Sequence, residues 1–411
     1  MKGNFTENLS LLFKLLIIVL ISRLILCFVG YIGMNTFPMY DTIKDKHAQS
    51  TLNMDFGITI NESRKPRLED FYKFDSGFYL QISDNGYPKI KMSENNLPTS
   101  ISFFPLYPLL IRAMHYITNS SSNIFNALLL SNILLVLSLY YIYKLCEIRG
   151  FDKKEIYLVI LVILSYPTSL FYSVPYTESL FLCLSAATLY YCSLNNYAAA
   201  SVAAGLSAIT RFPGFINIAY VFFVMLLDTN LKFSSIKQLT RIFHYMIISI
   251  IPITVYFSYM KYLTGDFLAP LHDVGNWSRK MSIPFKSYID YIRNPYFFSS
   301  GSWNNGVVSF VIATSILAVF VIYIILNRKN MDRKEWIFLL YGFLLIVVPF
   351  SNVGSVLVSI PRYLMVSIPI YLYIVEFFRD KKFLFLSYVF LFSTLNTLMV
   401  IGYFNGYNFV V

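Results

Sequence analysis

An all-α, polytopic transmembrane helical bundle is the fold class that this 411-residue chain predicts, and three observations lead to it. Hydrophobic residues make up 56% of the sequence, aromatics 18% and charged residues 13%, a balance that fits neither a soluble globule nor a disordered chain. Apolar stretches near the ~20 residues needed to cross a bilayer recur from residue 11 to the C-terminus. The turn-punctuated, alternating segments of a transmembrane barrel do not occur.

Taken in order, the first apolar stretch covers 11–33; it is long enough to span and no small-residue cleavage site follows, so it reads as a helix and not as a removable signal. Further spans are expected at 124–146, 156–173, 177–194, 197–211, 213–228, 242–262, 306–327, 336–350, 360–378 and 383–404, about 11 in all, and those flanking Arg211 are short. Segment 103–118 is apolar but short and carries Pro105 and Pro108, which suits an interfacial or re-entrant helix. Two polar loops, 34–102 and 263–305, interrupt what is otherwise one membrane domain over 1–411. No internal repeat or inverted symmetry is visible, which weighs against a secondary transporter.

Basic residues collect in four short loops: Arg149, Lys153 and Lys154; Lys232, Lys237 and Arg241; Arg328, Lys329, Arg333 and Lys334; Arg379, Lys381 and Lys382. The positive-inside rule puts these in the cytoplasm, with the N-terminus inside and both polar loops and the C-terminus outside. Much of the net charge of +11 is then topology and attraction to anionic membrane lipids. Nucleic-acid binding is excluded because no basic patch sits on a soluble domain. Cys27, Cys146, Cys183 and Cys192 lie in or beside apolar stretches without ligand spacing and read as packing residues. His47, His115, His244 and His272 lack metalloprotease spacing, and the first-loop acids show no EF-hand order, so neither metal nor cofactor is expected.

The first loop holds Asp41, Asp45, Asp55, Glu62, Glu69, Asp70, Asp75, Asp84 and Glu94, most of them solvating charges. Asp75 stands apart because Phe71, Tyr72, Phe74, Phe78, Tyr79 and Ile82 flank it at helical spacing, a pattern that would lie along the bilayer surface. Outer turns carry Glu178, in Pro175-Tyr176-Thr177-Glu178-Ser179, and Arg211, in Thr210-Arg211-Phe212-Pro213-Gly214; Arg362 opens the tenth span. Charges at the edge of a bundle need a polar cavity or a partner. Each also has a plain reading: Glu178 as a helix cap favoured by the dipole, and Arg211 and Arg362 as anchors snorkelling to headgroups. Arg23 falls near the middle of the first span, where an unpaired charge costs at least about 2.5 kcal/mol; one of the loop acids is its expected partner. Phe103-Phe104-Pro105-Leu106-Tyr107-Pro108 reads, alone, as an aromatic belt punctuated by proline.

The ordered set of Asp75 to Pro88, Phe103 to Pro108, Pro175 to Ser179, Thr210-Arg211 with Gly214, and Arg362-Tyr363-Leu364 resembles the PIG-V family of GPI mannosyltransferase II, with its prokaryotic PIG-V-like relatives, in the GT-C superfamily of membrane glycosyltransferases. Where the eukaryotic pattern has a tryptophan before the acid and a histidine shortly after it, Phe74 and Phe78 stand here. The resemblance implies a bundle of GT-C type and inverting transfer of a hexose, mannose foremost. The donor would be a polyprenyl (dolichyl-type) phosphate sugar and the acceptor a glycolipid or glycan on the extracytoplasmic face. In that reaction one carboxylate, Asp75, would take the acceptor proton. Arg211 and Arg362 would stabilise the donor phosphate with two-pronged contacts. Glu178 would orient an arginine or the acceptor, and Tyr79, Tyr87, Phe104, Tyr107, Tyr176 and Thr177 would line the substrate pocket. The setting is the plasma membrane if the protein is prokaryotic, the favoured reading, or the endoplasmic reticulum membrane if eukaryotic. A nucleotide sugar is not expected, since no glycine-rich βαβ fingerprint occurs. The rival from another class is a transporter of lipid-linked or small solutes, whose arginines would be substrate contacts.

Overall fold

The computed structural model describes residues 5–37, 39, 64–228, 236–277, 280–296, 306–353 and 356–407. Asp41, Asp45, Asp55 and Glu62 of the first loop, and Lys232, lie outside the described residues. The described chain is an all-α helical bundle of an integral membrane protein. In chain order its helices are α1 Phe5–Thr36, α2 Ser76–Asn85, α3 Leu106–Thr118, α4 Asn123–Ile148, α5 Lys153–Ser165, α6 Glu178–Ser193, α7 Tyr197–Ala208 and α8 Gly214–Asp228. They continue as α9 Ile236–Thr264, α10 Ala269–Asn276, α11 Lys286–Arg293, α12 Gly306–Asn327, α13 Arg333–Phe350, α14 Ile360–Leu364, α15 Ile368–Phe378 and α16 Lys382–Phe404. The β pairing among the described residues is a two-residue antiparallel ladder, β1 Lys280–Met281 with β2 Asn352–Val353, which ties the second polar loop to the end of α13.

Five helices, α1, α4, α9, α12 and α16, are long and apolar enough to cross a membrane. The other expected spans are helical but shorter. Helix α7 has 12 residues, about 18 Å at 1.5 Å per residue, against roughly 30 Å of hydrocarbon. Two expected spans are broken. The 156–173 span stops at Ser165, because Pro167 holds Tyr166 in an extended conformation (ψ 139°), and resumes as a 3-10 turn over Ser169–Tyr172. The 360–378 span divides into α14 and α15, each with proline in its first turn, Pro361 and Pro369. Cys146, Cys183 and Cys192 are buried and Cys27 is half-buried.

Three of the basic loops are drawn together by ion pairs: Arg149 with Glu335 at 2.6 Å, Arg379 with Glu155 at 2.5 Å, and Lys334 with Asp228, at the end of α8, at 3.3 Å. Glu335 also accepts from the hydroxyls of Tyr323 and Tyr373 at 3.1 and 3.0 Å, so its carboxylate is held from three sides. The residues singled out for chemistry gather at the opposite ends of α5 and α6.

Candidate active site

The site is built around a turn. Phe74 sits in the left-handed region (φ 57°), a conformation that costs a bulky residue about 1–3 kcal/mol. A single hydroxyl clasps the turn from both sides: Tyr176 donates to Lys73 O at 3.1 Å and accepts from Asp75 N at 3.1 Å. The Phe74 ring packs edge-on against Tyr403, and Phe71 against Phe404. The expected surface-lying helix is therefore interrupted between Phe71 and Ser76; Phe71, Phe74 and Tyr79 pack into the bundle, while Tyr72 stays exposed. Asp75 stands at the N-cap of α2 but makes no capping bond; its carboxylate turns to Arg362, Oδ2 to Nη1 3.0 Å. At the other end of α2, where Gly86 (φ 75°) ends the helix, Arg112 donates to Ser83 O and Asp84 O at 2.8 and 2.9 Å, covering terminal carbonyls.

Arg362 is reached through a second strained approach, Leu357 (φ 55°) and Ser359 (φ 59°), before α14. Its guanidinium is 4% exposed. Nη1 faces Asp75, Nε faces Glu178 Oε1 at 3.7 Å and Nη2 donates to Tyr363 OH at 3.3 Å. The rings of Phe171, Tyr176 and Tyr363 lie 5.2–5.3 Å from it. Glu178, the first residue of α6, is 1% exposed and stands between two guanidiniums, with Arg211 Nη1 2.7 Å from Oε1. It is thus an ion-pair partner, not a bare helix cap. Glu178 Oε2 is buried with no hydrogen-bond partner among the described residues. The turn that offers Arg211 is fixed by Gly214: a Cβ there would meet Ser207 O at 2.2 Å, so only glycine lets α7 and α8 close around it.

Asp75, Arg362, Glu178 and Arg211 thus form one chain of alternating charge, two carboxylates against two guanidiniums. They differ in access: Asp75 is 29% and Arg211 13% exposed, while the two groups between them are sealed. Arg362 faces two carboxylates and a phenol, although its Nε makes no hydrogen bond, whereas Glu178 is the one ion-pair partner of Arg211 among the described residues.

Of the expected pocket residues, Tyr79 and Thr177 approach each other at 3.5 Å beside this chain, and Tyr176 clasps the Asp75 turn. Burial pushes the Tyr79 phenol up from its ordinary pKa, and the neighbouring Glu178 charge adds to the shift, so it stays protonated. Tyr107 stacks edge-on against Tyr79 but spends its hydroxyl on Ser131 and Ala127 O inside the core. Tyr87 and Phe104 belong to a second apolar cluster against Tyr256 of α9, from which the Tyr87 hydroxyl donates to Phe103 O at 2.5 Å. Phe103, next in sequence to Phe104, is the residue that reaches the site, stacked on Phe78 and edge-on to Tyr79 and Trp277. Phe171 and Trp277 were not singled out by the sequence, and Tyr363 was named only within the Arg362-Tyr363-Leu364 motif, with no role; in a chain with 33 Tyr and 38 Phe, no periodicity marks one ring over another.

No protein-family model and no curated protein sequence matches the chain. Solved structures of the oligosaccharyltransferase of Archaeoglobus fulgidus are similar to it at a low level. The apo form is 11% identical over 98% of this chain and 56% of that chain, with a TM-score of 0.48. The form with zinc and sulfate is 12% identical over 94% and 53%, with a TM-score of 0.47. The form with an inhibitory peptide and a dolichol-phosphate is 12% identical over 99% and 57%, with a TM-score of 0.45. The chain therefore spans little more than half the length of these proteins.

Proposed function

We propose that the protein is an inverting, PIG-V-like glycosyltransferase of GT-C type that moves a hexose, mannose foremost, from a polyprenyl-phosphate donor to a hydroxyl of a glycolipid or glycan on the extracytoplasmic face. The observation that carries the reading is one charge chain with two accessible ends, the Asp75 carboxylate and the Arg211 guanidinium, joined through the sealed pair Arg362 and Glu178. The acceptor oxygen attacks the anomeric carbon and gives its proton to Asp75; the bond from that carbon to the phosphate oxygen breaks, and polyprenyl phosphate leaves as an anion. A phosphate leaving group needs no acid, and fixed cations stabilise the charge that develops on it. Arg211, with guanidinium edges left over from Glu178, meets that phosphate. Arg362 positions Asp75 more than it binds donor. Glu178, sealed between the two guanidiniums, orients Arg211 towards the donor.

The test is turnover by purified protein given a radiolabelled polyprenyl-phosphate hexose and a panel of glycolipid acceptors, beside the matching nucleotide diphosphate sugar. Transfer is expected from the lipid donor alone. Arg211→Lys should slow it, because an ammonium cannot reproduce the two-pronged phosphate contact. Transfer from the nucleotide sugar by protein free of lipid donor, or no transfer from any lipid donor while the protein moves such a lipid across a bilayer, would overturn the proposal.

A further inference from the structure

Among the described residues, Arg23 has no neutralising charge. Arg149, Arg211, Arg362 and Arg379 each face a carboxylate, but no carboxylate among the described residues pairs with Arg23. Of the loop acids expected to meet it, Glu69, Asp70, Asp75, Asp84 and Glu94 do not pair with it, and Asp41, Asp45, Asp55 and Glu62 lie outside the described residues. Its Nη1 donates to Ser173 Oγ, its Nη2 to Ser22 Oγ at 3.0 Å, and its Nε is buried with no hydrogen-bond partner. Ser173 in turn donates to Asn132 Oδ1 at 3.2 Å. Because Ser173 belongs to the turn that leads to Tyr176 and Glu178, Arg23 stands level with the candidate active site.

Arg23 and Asn132 line a cavity of about 1020 Å³ between α1 and α4, whose walls are otherwise largely apolar, among them Leu16, Leu20, Leu129 and Ile133. An apolar slot with one uncompensated guanidinium has the complementarity of an amphiphile with one anionic group and a hydrocarbon chain. The planar fork of Arg23, with its Nε–H unspent, suits a phosphate oxygen pair. The chain exchanges bilayer hydrocarbon for apolar groove wall at little net gain, so the preference comes from the phosphate, the charge that an arginine in a bundle requires.

We infer that the α1–α4 groove binds an anionic membrane phospholipid, its chain along the groove and its phosphate on Arg23, at a site separate from the donor phosphate on Arg211. Binding there does not depend on transferase activity, so the proposal and the functional reading stand or fall apart. Full-length protein in phosphatidylcholine nanodiscs doped with phosphatidylglycerol should retain phosphatidylglycerol over phosphatidylcholine after delipidation, read by native mass spectrometry. Arg23→Gln keeps a donor for Ser173 but loses the charge; enrichment should fall roughly tenfold, as loss of a charge-assisted contact implies. Arg23→Lys should keep part of it. Should Arg23→Gln fail to fold, a tryptophan introduced by Ile133→Trp reads the groove with Arg23 intact: brominated phosphatidylglycerol should quench it more than brominated phosphatidylcholine. Equal retention in Arg23→Gln, or equal quenching by the two brominated lipids, would overturn the inference.

Discussion

Asp75 and Glu178 are both carboxylates beside Arg362, and exposure separates their work. Glu178, 1% exposed, is held by two guanidiniums; removing its charge leaves both cations short of a partner, and breaking a buried pair costs about 3–5 kcal/mol. Asp75, 29% exposed, can be neutralised more cheaply because water reaches it. Asp75→Asn should therefore lower turnover by roughly 10²- to 10⁴-fold, the range for loss of a general base, with detergent stability near that of the parent. Glu178→Gln should lower the thermal midpoint as well as turnover. Thermal melts beside initial rates separate the two, and near-normal turnover in Asp75→Asn would remove it as the base. The sequence singled out both acids as polar residues beside aromatic or apolar runs, but which acid is accessible depends on tertiary packing: Glu178 is enclosed between Arg211 and Arg362, whereas Asp75 meets Arg362 alone.

Between α7 and α8 the site depends on backbone closeness more than on any side chain. Gly214→Ala must push Ser207 away from the turn that presents Arg211, an overpacking that should cost about 1–3 kcal/mol and slow turnover with Arg211 unchanged. A melt and a rate measurement on this variant check both halves; parental values in both would show that the turn has room the geometry denies. Helix positions were legible wherever an apolar run was uninterrupted, as in α4, α12 and α16. The breaks after Ser165 and before Ile368 are marked by Pro167 and Pro369, signals that a continuous hydrophobic run overshadowed. The bend at Phe74 left no such mark, since it is imposed from outside by Tyr176 and Tyr403.

Across the molecule, the sequence placed basic loops and candidate site residues on opposite faces, and the ion pairs Arg149–Glu335 and Arg379–Glu155 gather three of those loops at one end. With Cys27 replaced by Ala, a cysteine at exposed Ser93 should react with a membrane-impermeant thiol reagent applied to intact cells, and one at exposed Asn330 should not. The reverse pattern would put the candidate site on the cytoplasmic face. The pairing of Asp75 with Arg362 was not legible, because both residues were flagged singly while their contact joins positions 287 apart. No local periodicity encodes a contact of that span.

That separation fixes an order of assembly during synthesis. Glu178 and Arg211 leave the ribosome close together, so the carboxylate can be neutralised as soon as α6 to α8 enter the membrane. Asp75 emerges long before Arg362, and at roughly 5–20 residues per second the wait is on the order of 15 to 60 s. During that interval its carboxylate has no guanidinium to meet and stays hydrated, so the segment around it cannot settle into the bundle. The Asp75 turn is thus a closing step of biogenesis, and a ribosome that stalls before α14 leaves behind an inserted chain whose Asp75 carboxylate is still in water.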